Sequence, residues 1–109
     1  MSRVFKNMGG RPMNMMDAIK SNELKKDLGN GLIEYKEFYS TGQAWFHYFK
    51  LNGKLHGECK CWHSDGQLYI HKFYKNKELH GELKRWYYNG QLYEHTLWEN
   101  GEIIKDYLI

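Results

Sequence analysis

The chain has 109 residues, enough for one domain but too few for a catalytic domain joined to a separate cofactor domain. Hydrophobic residues make up 41% and charged residues 27%, which excludes a disordered acidic tail, and no apolar run is long enough to span a bilayer. The 16 Lys and Arg and 13 Asp and Glu alternate along the chain, so no concentrated basic strip indicates nucleic-acid binding.

The first segment, residues 1–29, differs in composition from the rest of the chain. Its start, Met1 to Asn14, lacks the apolar core of a secretory signal, so we expect a cytoplasmic protein, in a bacterium or, for a viral protein, in the host cell. Apolar residues recur at roughly helical spacing from Asn14 to Leu28, and Gly29 offers a stop. We predict a short amphipathic helix here that caps or covers the sheet that follows.

From residue 30 to residue 109 the chain follows a 24-residue period, which indicates about three repeats. A Gly-Gln pair recurs at Gly42, Gly66 and Gly90. The same step connects further sets of aromatic, histidine and asparagine residues: Phe38, Trp62 and Trp86; Trp45, Tyr69 and Tyr93; His47, His71 and His95; Asn52, Asn76 and Asn100.

Turn sequences divide each repeat into two strands. Asp65-Gly66 and Asn89-Gly90 predict two-residue hairpin turns in which both central residues take positive φ. Asn52-Gly53 and Asn100-Gly101 predict the same turn halfway round a repeat. The runs between them are rich in aromatic and β-branched residues. We therefore predict an all-β fold, an elongated, curved antiparallel meander of 24-residue hairpins with about seven strands.

Alternation of side chains along a strand sorts the repeat residues between two faces. Trp45, His47 and Phe49 are predicted to share one face, and so are their equivalents in the later repeats. We expect the aromatic members of this face to bind a partner: Trp45, Phe49, Tyr69, Phe73 and Tyr93. A second set is expected to be structural, with Gly57 and Gly81 marking bulges or close approach of a ring: Gly57, Gly66, Gly81, Gly90, Trp62 and Trp86.

The last strand, Glu102 to Ile109, ends in apolar residues. An exposed edge strand is a ready template for pairing with a second chain. We therefore predict self-association, which makes a homodimer one form of the partner contact, through Ile103, Tyr107, Leu108 and Ile109.

No cofactor, metal site or catalytic centre is expected from the motifs. His47, His71 and His95 project from alternate strands, whereas zinc ligands converge on one point. Cys59 and Cys61 lack a second ligand cluster, so two reduced thiols are the simpler interpretation. The chain has no nucleophile, metalloprotease or phosphate-loop motif, and we do not expect an enzyme.

The repeat resembles a known family, the MORN repeat in its variant form. The resemblance lies in Asn52–Glu58, followed by Trp62 and Asp65–Leu68, and again in Lys77–Glu82 with Trp86–Leu92. This variant is typical of YwqK-type antitoxin-like proteins and of small repeat proteins in bacteria and large DNA viruses. The resemblance implies a curved sheet of β-hairpins and a non-catalytic role in protein contacts, with membrane-lipid contacts proposed for some members.

The function expected from these observations is binding of a protein partner or of a second copy, antitoxin-like or in a viral or host assembly. The alternatives are a membrane lipid surface bound through Lys36, Lys60 and Lys84, or a carbohydrate or choline-like group in an aromatic cage. Glutamates run beside the lysine column, which argues against polyanions, including nucleic acid and anionic lipid heads: Glu34, Glu58 and Glu82.

Overall fold

The computed structural model describes residues 23–109, and these residues form one antiparallel sheet. The strands follow in chain order: β1 Glu23–Gly29, β2 Leu32–Phe38, β3 Ala44–Leu51, β4 Lys54–Leu55, β5 Gly57–Trp62, β6 Leu68–Lys75, β7 Glu78–Leu79, β8 Gly81–Trp86, β9 Leu92–Glu99 and β10 Glu102–Asp106. Within the described range, no helix is long and apolar enough to cross a membrane.

The sheet is a meander in which sequence neighbours are also spatial neighbours. Its order is β1-β2-β3-β5-β6-β8-β9-β10, and the two-residue strands β4 and β7 pair with β3 and β6. Strands β3, β6 and β9 begin at residues 44, 68 and 92, so the structural repeat has the 24-residue period of the sequence. The predicted all-β hairpin meander is confirmed, with ten strands in place of about seven.

The predicted helix is wrong for residues 23–28, and its remaining part, residues 14–22, lies outside the described residues. Residues 23–29 form β1, in which Glu23 pairs with Glu37 and Lys25 with Tyr35. The turn at Asn30, with φ of 56°, returns the chain tightly enough to pair β1 with β2. Strand pairing therefore overrides a weak helical spacing, and the sheet begins before the boundary predicted after residue 29.

Four turns are of the predicted two-residue type. At Asn30-Gly31, Asn52-Gly53 and Asn100-Gly101 both central residues take positive φ. The same holds at Asn76-Lys77, where φ is 50° and 60°. This turn is the one copy of the four that places a side chain other than asparagine in the left-handed region.

The turns that contain Gly42, Gly66 and Gly90 differ from the prediction, because only their glycine takes positive φ. In the middle copy the Gly66 amide donates to the His63 carbonyl at 3.0 Å, and the His63 amide donates to the Gln67 carbonyl at 2.8 Å. This is a type I turn followed by a left-handed glycine. The Asp side chain before Gly66 accepts the Gln67 amide at 3.0 Å, which favours this longer loop.

A bulge follows each of these loops. The register shifts between Glu37 and Phe38, which leaves Trp45 as an extra residue on β3. Tyr69 and Tyr93 occupy the equivalent positions on β6 and β9. Because a bulge interrupts the alternation of side chains, the predicted sharing of a face does not hold for these three residues.

A second kind of bulge lies between β4 and β5 and between β7 and β8. Gly57 lies at the first with φ of 83°, and Gly81 at the second with φ of 107°. A Cβ on Gly81 would lie 3.5 Å from the Phe73 side chain, so both the predicted bulge and the predicted close ring approach are found there. At Gly57 the bulge is found without a close neighbour.

Burial in this thin sheet is concentrated on one face. Among residues 23–109 the buried apolar side chains are Cys59, Cys61 and Leu83, and Thr96 is buried beside Leu83. We call this side of the sheet the pocket face. The opposite side carries the alternating lysine and histidine residues and is called the charged face. The outer strands β1 and β10 remain almost wholly exposed.

Candidate functional site

A pocket of about 540 Å³ lies at the end of the sheet where the Gly-Gln loops are found. We call it the aromatic pocket, because nine of its twelve lining residues are Phe, Trp or Tyr and none carries a full charge. The lining consists of Tyr39, Trp45, Phe46, Cys61, Trp62, His63, Tyr69, Ile70, Trp86, Tyr87, Tyr88 and Tyr93.

The first residue of each loop belongs to the pocket, and two of these residues hold neighbouring repeats together. The Tyr39 hydroxyl donates to the Trp62 carbonyl at 2.8 Å, and burial raises the pKa of this tyrosine. One repeat later, His63 Nε2 donates to the Trp86 carbonyl at 3.2 Å. The third copy, Tyr87, is 51% exposed and makes no such bond among the described residues.

The exposed end of the pocket is a group of stacked rings. Tyr88 lies on His63 with ring centres 4.1 Å apart, and it remains 63% exposed. Tyr87 stacks on Tyr93 at 4.2 Å. Stacking of this kind fixes ring orientation and contributes about 0.5–1.5 kcal/mol per pair beyond the buried area. The rim therefore presents ordered aromatic surface to solvent.

The five residues predicted to bind a partner are divided between the two faces. Trp45, Tyr69 and Tyr93, the three bulge residues, line the aromatic pocket. Phe49 and Phe73 lie on the charged face, where they pair with Glu34 and Glu58. The pocket also contains three tyrosines that the sequence analysis did not select: Tyr39, Tyr87 and Tyr88. The 24-residue period connects residues 39, 63 and 87, so it could have identified the first residue of each loop.

The charged face carries two parallel rows of side chains across the sheet. One row alternates lysine with histidine: Lys36, His47, Lys60, His71, Lys84 and His95. The neighbouring row includes the carboxylates Glu34, Glu58 and Glu82. Lys60 Nζ lies 3.7 Å from Glu58 and Lys84 Nζ lies 3.8 Å from Glu82, so these two lysines form exposed ion pairs with the acids beside them.

Histidine and glutamate side chains form a repeated hydrogen bond on this face. His47 Nε2 lies 2.7 Å from Glu34 Oε2, and His71 Nε2 lies 2.8 Å from Glu58 Oε2. These hydrogen bonds lower the pKa of Glu34 and of Glu58, because they stabilise the ionised carboxylate. His95 makes the third contact with Glu82, at 3.2 Å. Each histidine also packs against an aromatic ring, with ring centres 5.2 Å apart for His47, 5.1 Å for His71 and 4.2 Å for His95. The sequence analysis did not identify the carboxylate partners.

Comparison with known proteins identifies the repeat. Residues 55–76 and residues 79–100 each match the family model described as the MORN repeat variant. The chain carries MORN-variant repeats. The two matched segments begin 24 residues apart, in agreement with the period of the sheet. No curated protein and no solved structure gave a match to the chain.

The MORN-variant repeats account for most of the aromatic pocket. Trp62, Tyr69, Trp86 and Tyr93 all lie within the matched segments, whereas Trp45 precedes them. Repeats of this family are in general non-enzymatic modules associated with protein or membrane contacts. This general association is compatible with the pocket and with the charged face alike.

The cysteine and histidine residues of the MORN-variant repeats do not converge on a metal site within residues 23–109. No group of three or more His, Cys, Asp or Glu side chains in this range could hold a metal ion. Neighbouring histidines in the row are separated by a lysine strand. Cys59 and Cys61 are free and buried, and burial raises the pKa of the Cys61 thiol to about 11.

Within residues 23–109, the two outer strands beside the MORN-variant repeats have no pairing partner on their outer edges, and they carry exposed apolar side chains. On β10 and after it, Ile103, Tyr107, Leu108 and Ile109 are 37% exposed or more, and Ile104 joins them. On β1, Leu24 is 60% exposed. Tyr107 also stacks on His95, the last residue of the lysine and histidine row, with ring centres 4.2 Å apart.

Proposed function

We propose that the chain is a non-catalytic interaction module that binds a protein partner through the aromatic pocket. The observation that carries the proposal is the exposed, ordered aromatic rim formed by Tyr87 and Tyr88 on an uncharged pocket. Tyrosine and tryptophan dominate the binding energy of protein interfaces, because they bury large areas at a small cost in side-chain entropy. Masking the surface of another protein, as an antitoxin does, is one form of this function.

The pocket predicts which of the five selected residues matter for binding. Tyr69 and Tyr93 are expected to contribute contact surface, whereas Phe49 and Phe73 lie on the other face. Affinity should therefore fall at least tenfold in Tyr69→Ala and Tyr88→Ala, within the range of interface hot spots. Phe49→Ala should bind as well as the unchanged chain.

The test uses the full chain as bait in a lysate of its source cells, followed by calorimetry with the recovered partner. Tyr74→Ala is the matched control, because it removes the same side chain outside the pocket. Each variant is first shown to unfold at a similar denaturant concentration. Retained binding in Tyr88→Ala together with loss in Phe49→Ala would move the interface to the charged face and end this proposal.

A second candidate function is binding of a small cationic or carbohydrate ligand in the aromatic pocket. The uncharged, ring-lined surface favours it, because aromatic faces attract quaternary ammonium groups and stack on sugars. Three of the four tryptophans, Trp45, Trp62 and Trp86, line the pocket. Titration with choline or an oligosaccharide should then quench tryptophan fluorescence with little dependence on salt. Binding to anionic lipid vesicles that weakens steeply with salt would instead favour a membrane surface bound through the lysine row.

Self-association through β10 is a further form of partner contact. Its outer edge is unpaired within the described sheet, and Ile103 and Ile104 are 51% and 55% exposed. Light scattering should show a dimer for the unchanged chain and a monomer for the variant with Ile103→Lys and Ile104→Lys, because a charged edge opposes strand pairing. A monomer in both cases would rule out this edge as the contact.

A further inference from the structure

The aromatic pocket contains three pairs of packed rings, one pair for each Gly-Gln loop. Each pair joins the first residue of a loop to the bulge residue of the strand that follows it. The ring centres are 5.3 Å apart for Tyr39 and Trp45, 4.5 Å for His63 and Tyr69, and 4.2 Å for Tyr87 and Tyr93. Because the loops follow one another across the sheet, the pocket runs across the strands and not along one of them.

The pocket is long enough to hold an extended segment of a partner. Its three bulge residues lie on β3, β6 and β9, and each of these strands is two positions from the next in the sheet order. At a strand spacing of about 4.8 Å, the backbones of β3 and β9 are about 19 Å apart. A polyproline II helix rises about 3.1 Å per residue, so about six residues of such a helix extend from the first ring pair to the third.

The side chains of the pocket are better supplied with hydrogen-bond donors than with acceptors. Among the described residues, its lining contains neither a carboxylate nor an amide side chain. The indole N–H groups of Trp45, Trp62 and Trp86 can only donate, and the hydroxyls of the exposed Tyr87 and Tyr88 can donate as well. A ligand rich in carbonyl acceptors and poor in N–H donors therefore suits this lining, because a donor without an acceptor weakens binding.

Charged groups that border the pocket have partners within the sheet. Arg85 lies opposite the pocket residue Ile70, and its Nε lies 2.9 Å from Glu94 Oε1. At the other side of the pocket, the carboxylate of Glu37 accepts the Tyr48 hydroxyl at 2.7 Å. A charged side chain placed among the rings would lose its hydration without gaining a partner, so the pocket favours an uncharged segment.

The backbone of the occupant can be chosen by the same reasoning. A β-strand lying on the pocket would direct its N–H groups at rings, where they find no ladder partner. An α-helix uses its carbonyls internally and would leave the indole and hydroxyl donors of the pocket without acceptors. A polyproline II segment leaves its carbonyls free, and each proline has no N–H group. This conformation therefore fits the donors of the pocket best.

We propose that the aromatic pocket recognises an uncharged, proline-rich segment of its partner, held in the polyproline II conformation across the three ring pairs. About six residues of the segment contact the rings, with proline rings packed on Tyr87 and Tyr88 and carbonyls accepting from hydroxyl and indole groups. This inference rests on the proposed function, because it names the chemistry of the protein partner that the pocket binds.

Fluorescence titration of the full chain with dodecaproline, its ends blocked, tests the contact, because Trp45, Trp62 and Trp86 line the pocket. Binding should be saturable and about tenfold tighter or more than binding of a Gly-Ser peptide of the same length. It should change less than about twofold with salt, because neither surface supplies a charge. In a series of three, six, nine and twelve prolines, affinity should rise to about six residues and then level off.

Two tyrosine variants locate the peptide. Tyr87→Ala and Tyr88→Ala should each weaken binding about tenfold or more, and because these side chains are 51% and 63% exposed, their loss is not expected to unfold the sheet. Tyr74→Ala, the same substitution outside the pocket, should bind dodecaproline as well as the unchanged chain. Each variant is first shown to unfold at a similar denaturant concentration.

Three results would overturn the proposal: no saturable binding of dodecaproline, equally tight binding of the Gly-Ser peptide, or binding that neither Tyr87→Ala nor Tyr88→Ala weakens. The proposed function fails separately. A recovered partner that needs Tyr88 but contacts the pocket without a proline-rich segment would overturn this inference and leave the proposed function standing. Dodecaproline binding through Tyr88, without any protein partner that depends on Tyr88, would end the proposed function and leave the peptide specificity of the pocket.

Discussion

The two faces of the sheet use the same strands and the same 24-residue period, yet they differ in what they bury. On the pocket face, the row through Cys59 and Leu83 contains side chains that are 7% and 2% exposed. On the charged face, the side chains of Lys60 and His71 are 34% and 26% exposed. The comparison shows that a single-layer sheet can concentrate its apolar burial on one face and use the other for paired charges.

Because of this difference, we expect the two faces to contribute differently to the free energy of unfolding. Burial of apolar area gives most of the free energy of folding, so the pocket face should dominate the stability of the sheet. Exposed ion pairs contribute a few tenths of a kcal/mol each, so the charged face should respond mainly to pH and salt. Three predictions test this difference between the faces, and a fourth concerns a turn that belongs to neither face.

The largest effect is expected at Leu83, the most buried apolar residue among residues 23–109. Leu83→Ala should lower the free energy of unfolding by about 3 kcal/mol, because it leaves a cavity where neighbouring strands cannot close in. Leu97→Ala, a matched change on the charged face, should cost about 1 kcal/mol, because Leu97 is only half buried. Urea denaturation measures both. Equal losses would contradict the difference between the faces.

The next effect concerns a polar contact within the pocket face. Thr96 is 2% exposed, and its hydroxyl accepts the Trp98 indole N–H at 2.8 Å. Thr96→Val should lower the free energy of unfolding by about 1–2 kcal/mol, because the indole N–H loses its acceptor. Thr96→Ser keeps the hydroxyl and should lose less. If the serine variant is as unstable as the valine variant, the hydrogen bond is not the cause.

Much of this architecture follows from local chemistry that the sequence displays. The Asn-Gly pairs specify two-residue turns through their tolerance of positive φ, and Asn76-Lys77 follows the same course because its neighbours in the sheet require it. The 24-residue period predicts the columns of like residues, since strands two apart in the meander carry equivalent positions. The charged face was predictable for this reason, apart from the carboxylate partners of the histidines.

The aromatic pocket was harder to predict, because it depends on bulges. Alternation assigns Trp45 to the face of His47, but one extra residue in β3 takes it into the pocket beside Phe46, with ring centres 4.8 Å apart. No residue type in the sequence marks this bulge. Likewise, residues 23–28 lack a strong strand pattern, and they form a strand because they pair with β2. In both cases, pairing with a neighbouring strand determines the local structure.

A smaller effect is expected at a turn that belongs to neither face. Lys77 has φ of 60°, whereas the equivalent residues Gly53 and Gly101 take the left-handed region without strain. Lys77→Gly should raise the free energy of unfolding by about 0.5–1 kcal/mol, because relief of strain exceeds the added entropy of the unfolded chain. Gly53→Lys, where a Cβ meets nothing within 4 Å, should show the reverse change. Thermal denaturation compares the pair, and a loss of stability in both variants would contradict the strain.

The smallest effect tests the charged face through pH. The pKa of Glu58 lies below its ordinary value of 4.5 because His71 donates a hydrogen bond to it. A carboxylate with a lowered pKa stabilises the fold fully above its unfolded value, and this contribution is lost as pH falls through the folded pKa. The unchanged chain should therefore exceed Glu58→Gln by a few tenths of a kcal/mol near neutral pH, and the gap should close below pH 4.5. Denaturant titrations at several pH values measure the gap.

The control is Glu102→Gln, because Glu102 makes no ion pair with another described residue, and it should show no gap at any pH. A gap for Glu58→Gln that stays constant through pH 4.5 would mean that the carboxylate acts by packing and not by its charge, and the contrast between the two faces would then be one of burial alone.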